Sequence, residues 1–335
     1  MSTPAIVVKN LVKTFGSRLR PIRAVDDLTF SVQRGSIFGL LGPNGAGKTT
    51  TLRIMTTLAR PGGGTVDVLG YDVVKAPLEV RRRIGVVIQD QAADLLLNVR
   101  DNLLTFARFH GRAGSPVRDR AERVMTQFGI ADVADRKVQD LSGGIRRRVQ
   151  VAKMFMIDVP IIFLDEFSSG MDAILKRSVM AMLRAEAAAG RTIVLTTQIL
   201  SEAEELCDDI LIINHGRRVA RGSVHTLKEL VGRLHEVTIT FDRIPPELET
   251  IVAGYAPERV VVQHNTLQLQ LRDEEPRVLE LVSALGRHGR IQHLEITGAS
   301  LEDVFVQLTQ QPAPSGIERP SLQRAEDRRS NVLGD

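Results

Sequence analysis

A glycine-rich stretch near the N-terminus contains the residues of this chain that are best placed to do chemistry. It consists of Gly42, Pro43, Asn44, Gly45, Ala46, Gly47, Lys48, Thr49 and Thr50, which fits the pattern GxxxxGK followed by threonine. Glycines allow successive backbone N–H groups to turn inward and point at a phosphate. We expect Lys48 to reach the β- and γ-phosphate oxygens, Thr49 to give a hydroxyl ligand to Mg²⁺, and Thr50 to make a further phosphate contact. The stretch therefore predicts a bound nucleoside triphosphate.

The segments on either side of this loop are the ones that such a site requires. Residues 36–41 form a short apolar run that is typical of a buried strand, and residues 50–55 open an amphipathic helix. A phosphate held between them would lie at the positive end of the helix dipole. The alternative, a glycine-rich turn that binds nothing, does not account for this flanking pattern.

A pair of carboxylates follows an apolar run well downstream of the loop. Residues 160–164 (PIIFL) are succeeded directly by Asp165 and Glu166, the pattern of a central parallel strand whose C-terminal end opens on a ligand site. We expect Asp165 to hold Mg²⁺ through its water shell. Glu166 could accept a proton from the water that attacks the γ-phosphate. The alternative is an ordinary strand end with a solvated acidic pair, and the phosphate loop favours the metal site.

Length and composition limit the class of protein. A chain of 335 residues is too long for one simple domain, so we expect about two. Hydrophobic residues make up 43% of the chain, yet its apolar runs are far shorter than the roughly 20 residues that span a bilayer. The N-terminus shows no secretion signal. A lone Cys207 cannot form an internal disulfide, which agrees with a reducing cytoplasm and indicates a core-filling side chain.

The charge balance argues against nucleic acid as a partner. The formal net charge of +4 comes from 44 basic and 40 acidic residues, which indicates a mixed surface. Proteins that bind nucleic acid usually combine clustered basic residues with stacking aromatics, but aromatics make up only 4% here and tryptophan is absent. The run Arg81 to Arg83 is predicted to be a solvated helix face, in preference to a contact with anionic lipid or a partner protein.

A Ser-Gly-Gly turn between the loop and the acidic pair completes a family pattern. Residues 141–148 (LSGGIRRR) lead into a helix and offer a second anion site. With the two flanking motifs, this turn makes the chain resemble the nucleotide-binding subunits of ATP-binding-cassette (ABC) transporters. In that family LSGG faces the phosphate loop of a second copy, so the resemblance implies a homodimer with two sandwiched ATP molecules. It assigns Ser142, Gly143 and Gly144 to the nucleotide site, with Ser142 and Gly144 on the γ-phosphate.

Further family elements occur in order over about residues 5 to 225. Phe15 resembles the aromatic residue that stacks on adenine, and the alternative is a core phenylalanine. Gln89 resembles the glutamine that touches Mg²⁺ and the attacking water. Residues 97–103 resemble the start of the helical subdomain, which receives a coupling helix of the membrane partner. Asp172 is similar to the aspartate of the loop that crosses the dimer interface.

Some positions depart from the family pattern. Gln198 stands where the family usually carries a histidine that hydrogen-bonds the γ-phosphate. An amide can donate and accept at similar reach but cannot carry a positive charge, so we expect slow hydrolysis with binding retained. The predicted catalytic residues are therefore Glu166, Gln89, Gln198 and Lys48. Residues 167–169 replace the usual proline and threonines, so the backbone path of this loop is not given by the resemblance. Ile145 replaces a glutamine, which we expect to matter little because the neighbouring backbone and Ser142 make the phosphate contacts.

The predicted fold class is α/β. It combines a P-loop ABC ATPase core, an antiparallel β subdomain and a helical subdomain, followed by a small C-terminal α+β domain. We expect a nucleotide-binding domain over 1–228, with its helical subdomain at about 95–155, an accessory or regulatory domain over 229–310 and a disordered tail over 311–335. Residues 301–305 (LEDVF) resemble a C-terminal motif of daunorubicin-type resistance exporters. A compatible alternative is a final helix whose Leu301, Val304, Phe305 and Leu308 face the small domain's own core.

The resemblance implies an ATP-binding and ATP-hydrolysing exporter subunit. Its cofactors would be ATP and Mg²⁺, and its partners a second copy of itself and an integral membrane permease. It would lie in the cytoplasm, peripheral to the inner face of the cell membrane. The alternative is a soluble cassette ATPase that acts on ribosomes or DNA. Such proteins usually join two cassettes or carry a coiled coil, whereas this chain has one LSGG and no sustained heptads.

Overall fold

A computed structural model describes residues 3–17, 20–88, 93–230, 234–272 and 275–310. The strands are β1 Ile6–Ser17, β2 Arg20–Val32, β3 Ile37–Leu41, β4 Gly63–Val68, β5 Tyr71–Asp72, β6 Ile84–Val87, β7 Ile161–Asp165, β8 Thr192–Thr197, β9 Asp209–Asn214, β10 Arg217–Gly222, β11 Leu234–Phe241, β12 Arg259–Gln263, β13 Thr266–Arg272 and β14 Ile291–Gly298. The helices are α1 Lys48–Met55, α2 Pro77–Arg81, α3 Val99–Phe109, α4 Ser115–Gln127, α5 Gly143–Ala152, α6 Ala173–Ala188, α7 Leu200–Leu206, α8 Val224–Glu229, α9 Leu248–Ala253, α10 Glu275–His288 and α11 Leu301–Gln310.

A mixed central sheet carries the site. Its strand order is β10-β9-β3-β8-β7-β6, parallel except for β10, which pairs antiparallel with β9. Strands β3, β7 and β8 are buried along their whole length, which explains their continuous apolar runs. Leu41 of β3 pairs with Thr197 of β8, and Asp165 of β7 pairs with Thr196. These strands therefore end at one edge, where the loops that follow them meet.

An antiparallel sheet with the order β2-β1-β4-β5 lies beside the central sheet. Its buried face shares a hydrophobic cluster with β3 and α1, including Val8, Phe30, Val66, Phe38 and Leu52. The chain between β6 and β7 is mostly helical and contains α3, α4 and α5. Helix α3 begins after Asn98, whose side chain accepts a hydrogen bond of 2.7 Å from the N–H of Asp101. These elements confirm the predicted fold class.

The C-terminal part forms a separate antiparallel sheet with the order β12-β13-β11-β14. Alternate side chains of β11 and β13 are buried, as the period of two predicts. They pack against α9 and α10 in a hydrophobic cluster that includes Val237, Ile239, Leu267, Leu269, Leu248 and Leu281. The predicted tail over 311–335 lies outside the described residues.

Helix α11 packs elsewhere than the sequence predicts. Leu301 and Val304 are fully buried, but they share a hydrophobic cluster with Leu206 of α7 and Leu227 of α8, against which Phe305 and Leu308 also pack. The alternative in which they face the small domain's own core is therefore wrong. Helices α9 and α10 pack with the apolar face of that sheet. Periodicity shows that a helix face is buried but not which element covers it.

The fold also places residues that lie away from the site. Cys207 is buried, as expected of a core-filling side chain, and Met154 and Met156 are buried as well. His215 is exposed in the β9–β10 turn, with a φ of 47°. Among the described residues, none of the helices has both the length and the apolar character needed to cross a bilayer.

Candidate active site

A cavity of about 530 Å³ opens where β3, β7 and β8 end. Its lining comes from segments that are far apart in the sequence: Phe15, Ala24, Asn44, Gly45, Ala46, Gly47, Lys48, Thr49, Thr50, Glu166 and Gln198. Gly42 and Pro43 do not line it, but their carbonyl oxygens accept hydrogen bonds from Lys48. The structure thus brings together the phosphate-loop residues, the catalytic glutamate candidate, the glutamine after β8 and the adenine-stacking candidate.

The loop between β3 and α1 requires glycine at defined points. Gly47 directly precedes α1 and has a φ of 103°, which is left-handed backbone. A Cβ there would collide with the carbonyl oxygen of Ala24, and a Cβ at Gly42 would collide with that of Ile213. The close approach of these backbones holds the loop at the N-terminus of α1, where N–H groups and the helix dipole favour an anion.

Lys48 is the buried cation of the cavity. Its side chain is only 6% exposed, and its Nζ donates to the carbonyl oxygens of Gly42 at 2.7 Å and Pro43 at 3.1 Å. Burial lowers the pKa of Lys48, while the nearby carboxylates of Glu166 and Asp165 act in the opposite direction. A phosphate would offer this ammonium group the negative charge that its surroundings supply only in part.

Asp165 provides a test of whether the site suits a divalent cation. Its Oδ1 accepts hydrogen bonds from the hydroxyls of Thr196 and of Thr49, the latter at 3.5 Å. Its Oδ2 is buried and has no hydrogen-bond partner among the described residues. A buried carboxylate oxygen of this kind is costly unless a cation or donor meets it. A hydroxyl beside a carboxylate is a ligand set that Mg²⁺ accepts, so the residues fit the metal.

Glu166 has an unusual backbone. Its φ is 49°, a left-handed conformation that non-glycine residues rarely adopt. Its N–H donates to the carbonyl oxygen of Thr196 at 3.0 Å, and its own carbonyl accepts from the N–H of Ser169 at 3.3 Å. The same carbonyl accepts from Arg147 at 2.9 Å. Its side chain lines the cavity, where a carboxylate can take a proton from water.

Gln198 is exposed and is held through its neighbour. The Thr197 hydroxyl accepts from the N–H of Ile199 at 2.9 Å and donates to Glu202 at 3.2 Å. Glu202 is 1% exposed, and Lys176 of α6 lies 3.3 Å from its other oxygen. The hydrogen bond between the buried side chains of Thr197 and Glu202 therefore fixes the turn that presents Gln198.

The LSGG segment lines a second cavity of about 450 Å³, which Gly143, Gly144, Arg147, Glu166 and Gly170 border. The Ser142 hydroxyl accepts from the N–H of Ile145 at 3.4 Å and so caps α5. A Cβ at Gly144 would collide with the carbonyl of Gly170, so the two turns touch through their backbones. Ser142, Gly143 and Gly144 are absent from the lining of the first cavity.

Asp172 also caps a helix. Its Oδ1 accepts from the N–H of Leu175 at 2.9 Å, and its Oδ2 pairs with Arg148 at 2.8 Å. These contacts lower the pKa of Asp172, the hydrogen bond from Leu175 more than the charge of Arg148. Gln89 lies outside the described residues.

Comparisons with known proteins identify the family of this chain. A family model described as "ABC transporter" matches residues 25–169. The daunorubicin/doxorubicin resistance ATP-binding protein DrrA of Streptomyces peucetius is 36% identical over 319 residues, which cover 93% of this chain and 94% of that protein. The chain belongs to the ABC transporter family.

A second relative matches most of this ABC protein, and a solved structure matches about two thirds of it. The Nod factor export ATP-binding protein I of Ralstonia nicotianae is 38% identical over 310 residues, which cover 92% of this chain and 94% of that protein. A solved structure of a dimeric bacterial ABC transporter cassette has a TM-score of 0.59 and 25% identity, and covers 65% of this chain and 98% of that one. The predicted family and the class of enzyme, an ABC ATPase, are thereby confirmed.

Sequence reasoning missed several residues around this ABC site. Arg147 is 7% exposed and donates to the carbonyl oxygens of Asp165, Glu166 and Ile88. Thr196 donates to Asp165, and Glu202 supports the turn of Gln198. Arg147 stands in a run of three arginines, and nothing in that run distinguishes the buried one. An acidic residue four positions after Gln198 is equally ordinary in a helix, so neither had a usable signal.

Proposed function

We propose that this chain is the ATP-hydrolysing subunit of an exporter, in which two copies close around ATP and drive a separate membrane permease. The observation that carries this proposal is the cavity that collects Phe15, Lys48, Glu166 and Gln198 at one edge of the central sheet. A stacking ring, a phosphate loop and an acidic strand end seldom occur together except in a site that binds a nucleoside triphosphate.

The reaction would be hydrolysis of the γ-phosphate. A water oxygen attacks the γ-phosphorus, the bond to the bridging oxygen of ADP breaks, and ADP and inorganic phosphate leave. Glu166 accepts the water proton, and Lys48 binds the β- and γ-phosphate oxygens. Gln198 orients the water or the γ-phosphate by its amide, which carries no charge to stabilise the transition state. Phe15, which is 47% exposed, stacks on the adenine ring.

Thr49 and Asp165 would hold Mg²⁺, with Gln89 as a further ligand. When bound, the metal neutralises charge on the phosphate oxygens. The partnerless Oδ2 of Asp165 supports this assignment because it already lies where a cation would relieve its burial. The Thr49 hydroxyl, 3.5 Å from Oδ1 of the same carboxylate, lies within the same small region.

A second copy would complete each site. Gly143 and Gly144 border a different cavity from Lys48 within one chain, and Ser142 is also absent from the cavity of Lys48. Their nucleotide contacts would therefore need a partner protomer. Asp172 would lie at this interface, since it is paired with Arg148 of the LSGG helix. The likeness to a dimeric cassette supports the same arrangement.

Export rests on the relatives. One is a daunorubicin/doxorubicin resistance protein and the other is a Nod factor export protein, which favours outward transport. The chain would then work at the cytoplasmic face of the cell membrane beneath its permease. We retain the proposed division into a nucleotide-binding domain over 1–228 and an accessory domain over 229–310, with α11 of the second docked on the first.

The first experiment measures hydrolysis and assembly of the purified full chain. We expect Glu166→Gln to reduce ATP turnover by at least about a hundredfold and to form an ATP-dependent dimer by light scattering. Lys48→Ala should abolish binding of a labelled ATP analogue. Glu205→Gln changes an exposed carboxylate of α7 and should leave turnover within about twofold. Wild-type turnover in Glu166→Gln, or a variant that stays monomeric with ATP, would contradict the proposal.

The second experiment tests the permease. The chain, expressed in its native cells and isolated with mild detergent, should copurify with an integral membrane protein. Recovery with ribosomes or DNA, and no membrane protein, would favour the non-transport alternative. Because ATP hydrolysis is common to both functions, turnover cannot separate them, whereas the copurifying partner can.

A further inference from the structure

The guanidinium of Arg147 donates hydrogen bonds to main-chain carbonyls at the acidic end of β7 and just after β6. Its side chain belongs to α5, the helix that Ser142 caps, and is 7% exposed. Its Nη2 donates to the carbonyl oxygens of Asp165 and Glu166, the latter at 2.9 Å. Its Nη1 donates to the carbonyl of Ile88 at 3.0 Å and to the side chain of Gln150 at 2.8 Å. A buried cation that donates to this many acceptors fixes all of them in relation to one another.

We propose that Arg147 is a positioning residue for hydrolysis, which holds the Glu166 peptide in its active conformation from the LSGG helix. This inference rests on the proposed function, because it assigns Arg147 a part in the reaction of Glu166.

The backbone of Glu166 is the part that needs support. At a φ of 49° this residue occupies a conformation that persists only where its surroundings fix it. The N–H of Glu166 is held by Thr196, and its carbonyl by Ser169 at 3.3 Å and Arg147 at 2.9 Å. The bond from Arg147 is the shorter of the two to this carbonyl, and its donor is charged, so it is the stronger. Its loss would release the peptide on which the carboxylate depends.

The position of Arg147 also connects this peptide to the partner's nucleotide. Ser142 and Gly144 lie about one turn before Arg147 on the same helix. If these residues meet the ATP held by the second copy, any movement of α5 on closure is passed to the carbonyls of Asp165 and Glu166. Ile88, the third carbonyl, immediately precedes Gln89 in the chain. Arg147 therefore acts after nucleotide binding, and its removal should change turnover more than affinity.

Arg191 is a matched control at the other end of the same strand. It is 9% exposed and donates to the carbonyl oxygens of Val159 at 3.0 Å and Ile157 at 2.9 Å, just before β7. It also pairs with Glu186 at 2.9 Å. Both arginines are buried and donate to main-chain carbonyls beside β7. Among the described residues, none of the hydrogen-bond partners of Arg191 lines the cavity. Replacing Arg191 therefore measures how much such an interaction contributes to stability, without an effect on the cavity.

The test compares Arg147→Met, Arg147→Lys and Arg191→Met in the full chain. For each we measure kcat and KM for ATP, the Kd of a non-hydrolysable ATP analogue and the melting temperature. Arg147→Met should lower kcat at least about tenfold, as expected for loss of hydrogen bonds from a charged donor. Its Kd should stay within about threefold of wild type. Arg147→Lys keeps the charge but loses the planar, forked set of donors, so its kcat should lie between those of wild type and Arg147→Met.

Arg191→Met should reduce the melting temperature at least as much as Arg147→Met does. Its kcat should nevertheless stay within about threefold of wild type when it is assayed well below the melting temperature. Adding Arg147→Met to Glu166→Gln should give no further loss of turnover, because both act on one group. Turnover of Arg147→Met within about threefold of wild type, or an equal loss in Arg191→Met, would overturn the inference. If Glu166→Gln itself retained full turnover, the proposed function would fail instead, which keeps the two failures distinct.

Discussion

Removing the Leu301 side chain tests the docking of α11 most directly. This side chain is fully buried in the cluster that α7 and α8 share. Leu301→Ala removes about three carbon atoms at roughly 0.8 kcal/mol each and leaves a cavity, so we expect a cost of about 3 kcal/mol. The helix lies at the end of the described chain, and Ser300 and Asp303 cap it. A loss of this size should therefore undock α11 before it unfolds the central sheet.

Hydrogen exchange followed by mass spectrometry locates the effect. In Leu301→Ala we expect faster exchange in α11, α7 and α8, and unchanged exchange in α10. Val306→Ala is the control on the same helix, because Val306 is 46% exposed and its truncation should cost no more than about 0.5 kcal/mol. Faster exchange in α10, or equal effects of the two substitutions, would refute the packing of α11 on the nucleotide-binding part.

Other substitutions test the site and its surroundings. Gln198→His should raise turnover of the isolated subunit by about tenfold or more, because it restores a donor that can carry charge; unchanged or lower turnover would show that this site has settled on different chemistry. Gly47→Ala should weaken binding of an ATP analogue at least about tenfold, since its Cβ would strike the Ala24 carbonyl; wild-type affinity in a titration would count against the loop geometry. Burial lowers the pKa of Lys153 from 10.5 to about 8, so between these values the unfolded chain binds more protons and stability rises with pH. Lys153→Met should remove that rise, on the order of 1 kcal/mol per pH unit, in urea unfolding from pH 7 to 10, and an unchanged slope would contradict the assignment.

Much of the fold was predictable because its signals are local. The run at 160–164 reads as a buried strand, and β7 occupies Ile161–Asp165. Strand β8, Thr192–Thr197, is a second continuous buried run of this kind. The phosphate loop could be assigned because its glycines are required by backbone conformation, which a sequence pattern records directly.

Contacts between distant segments were not predictable. Arg147 and Arg148 are neighbours, yet one lies under the acidic strand end and the other pairs with Asp172 on the surface. Only the orientation of α5 against β7 decides which is which. The same limit applies to α11: the alternative that buries its apolar face was right about the burial but named the small domain's core as the partner. Pattern gives the face of an element, whereas packing partners depend on tertiary structure.

The two ends of β7 differ in a way that separates stability from function. At the start of the strand, Arg191 satisfies carbonyl oxygens of the incoming chain. At its end, the structure accumulates features that cost free energy: the partnerless Oδ2 of Asp165, the left-handed Glu166 and the buried ammonium of Lys48. Arg147 supports the backbone there but leaves the charged groups to a ligand. Strain that is confined to the ligand end of an otherwise satisfied strand is expected where the site has been selected for binding and turnover, and not for stability.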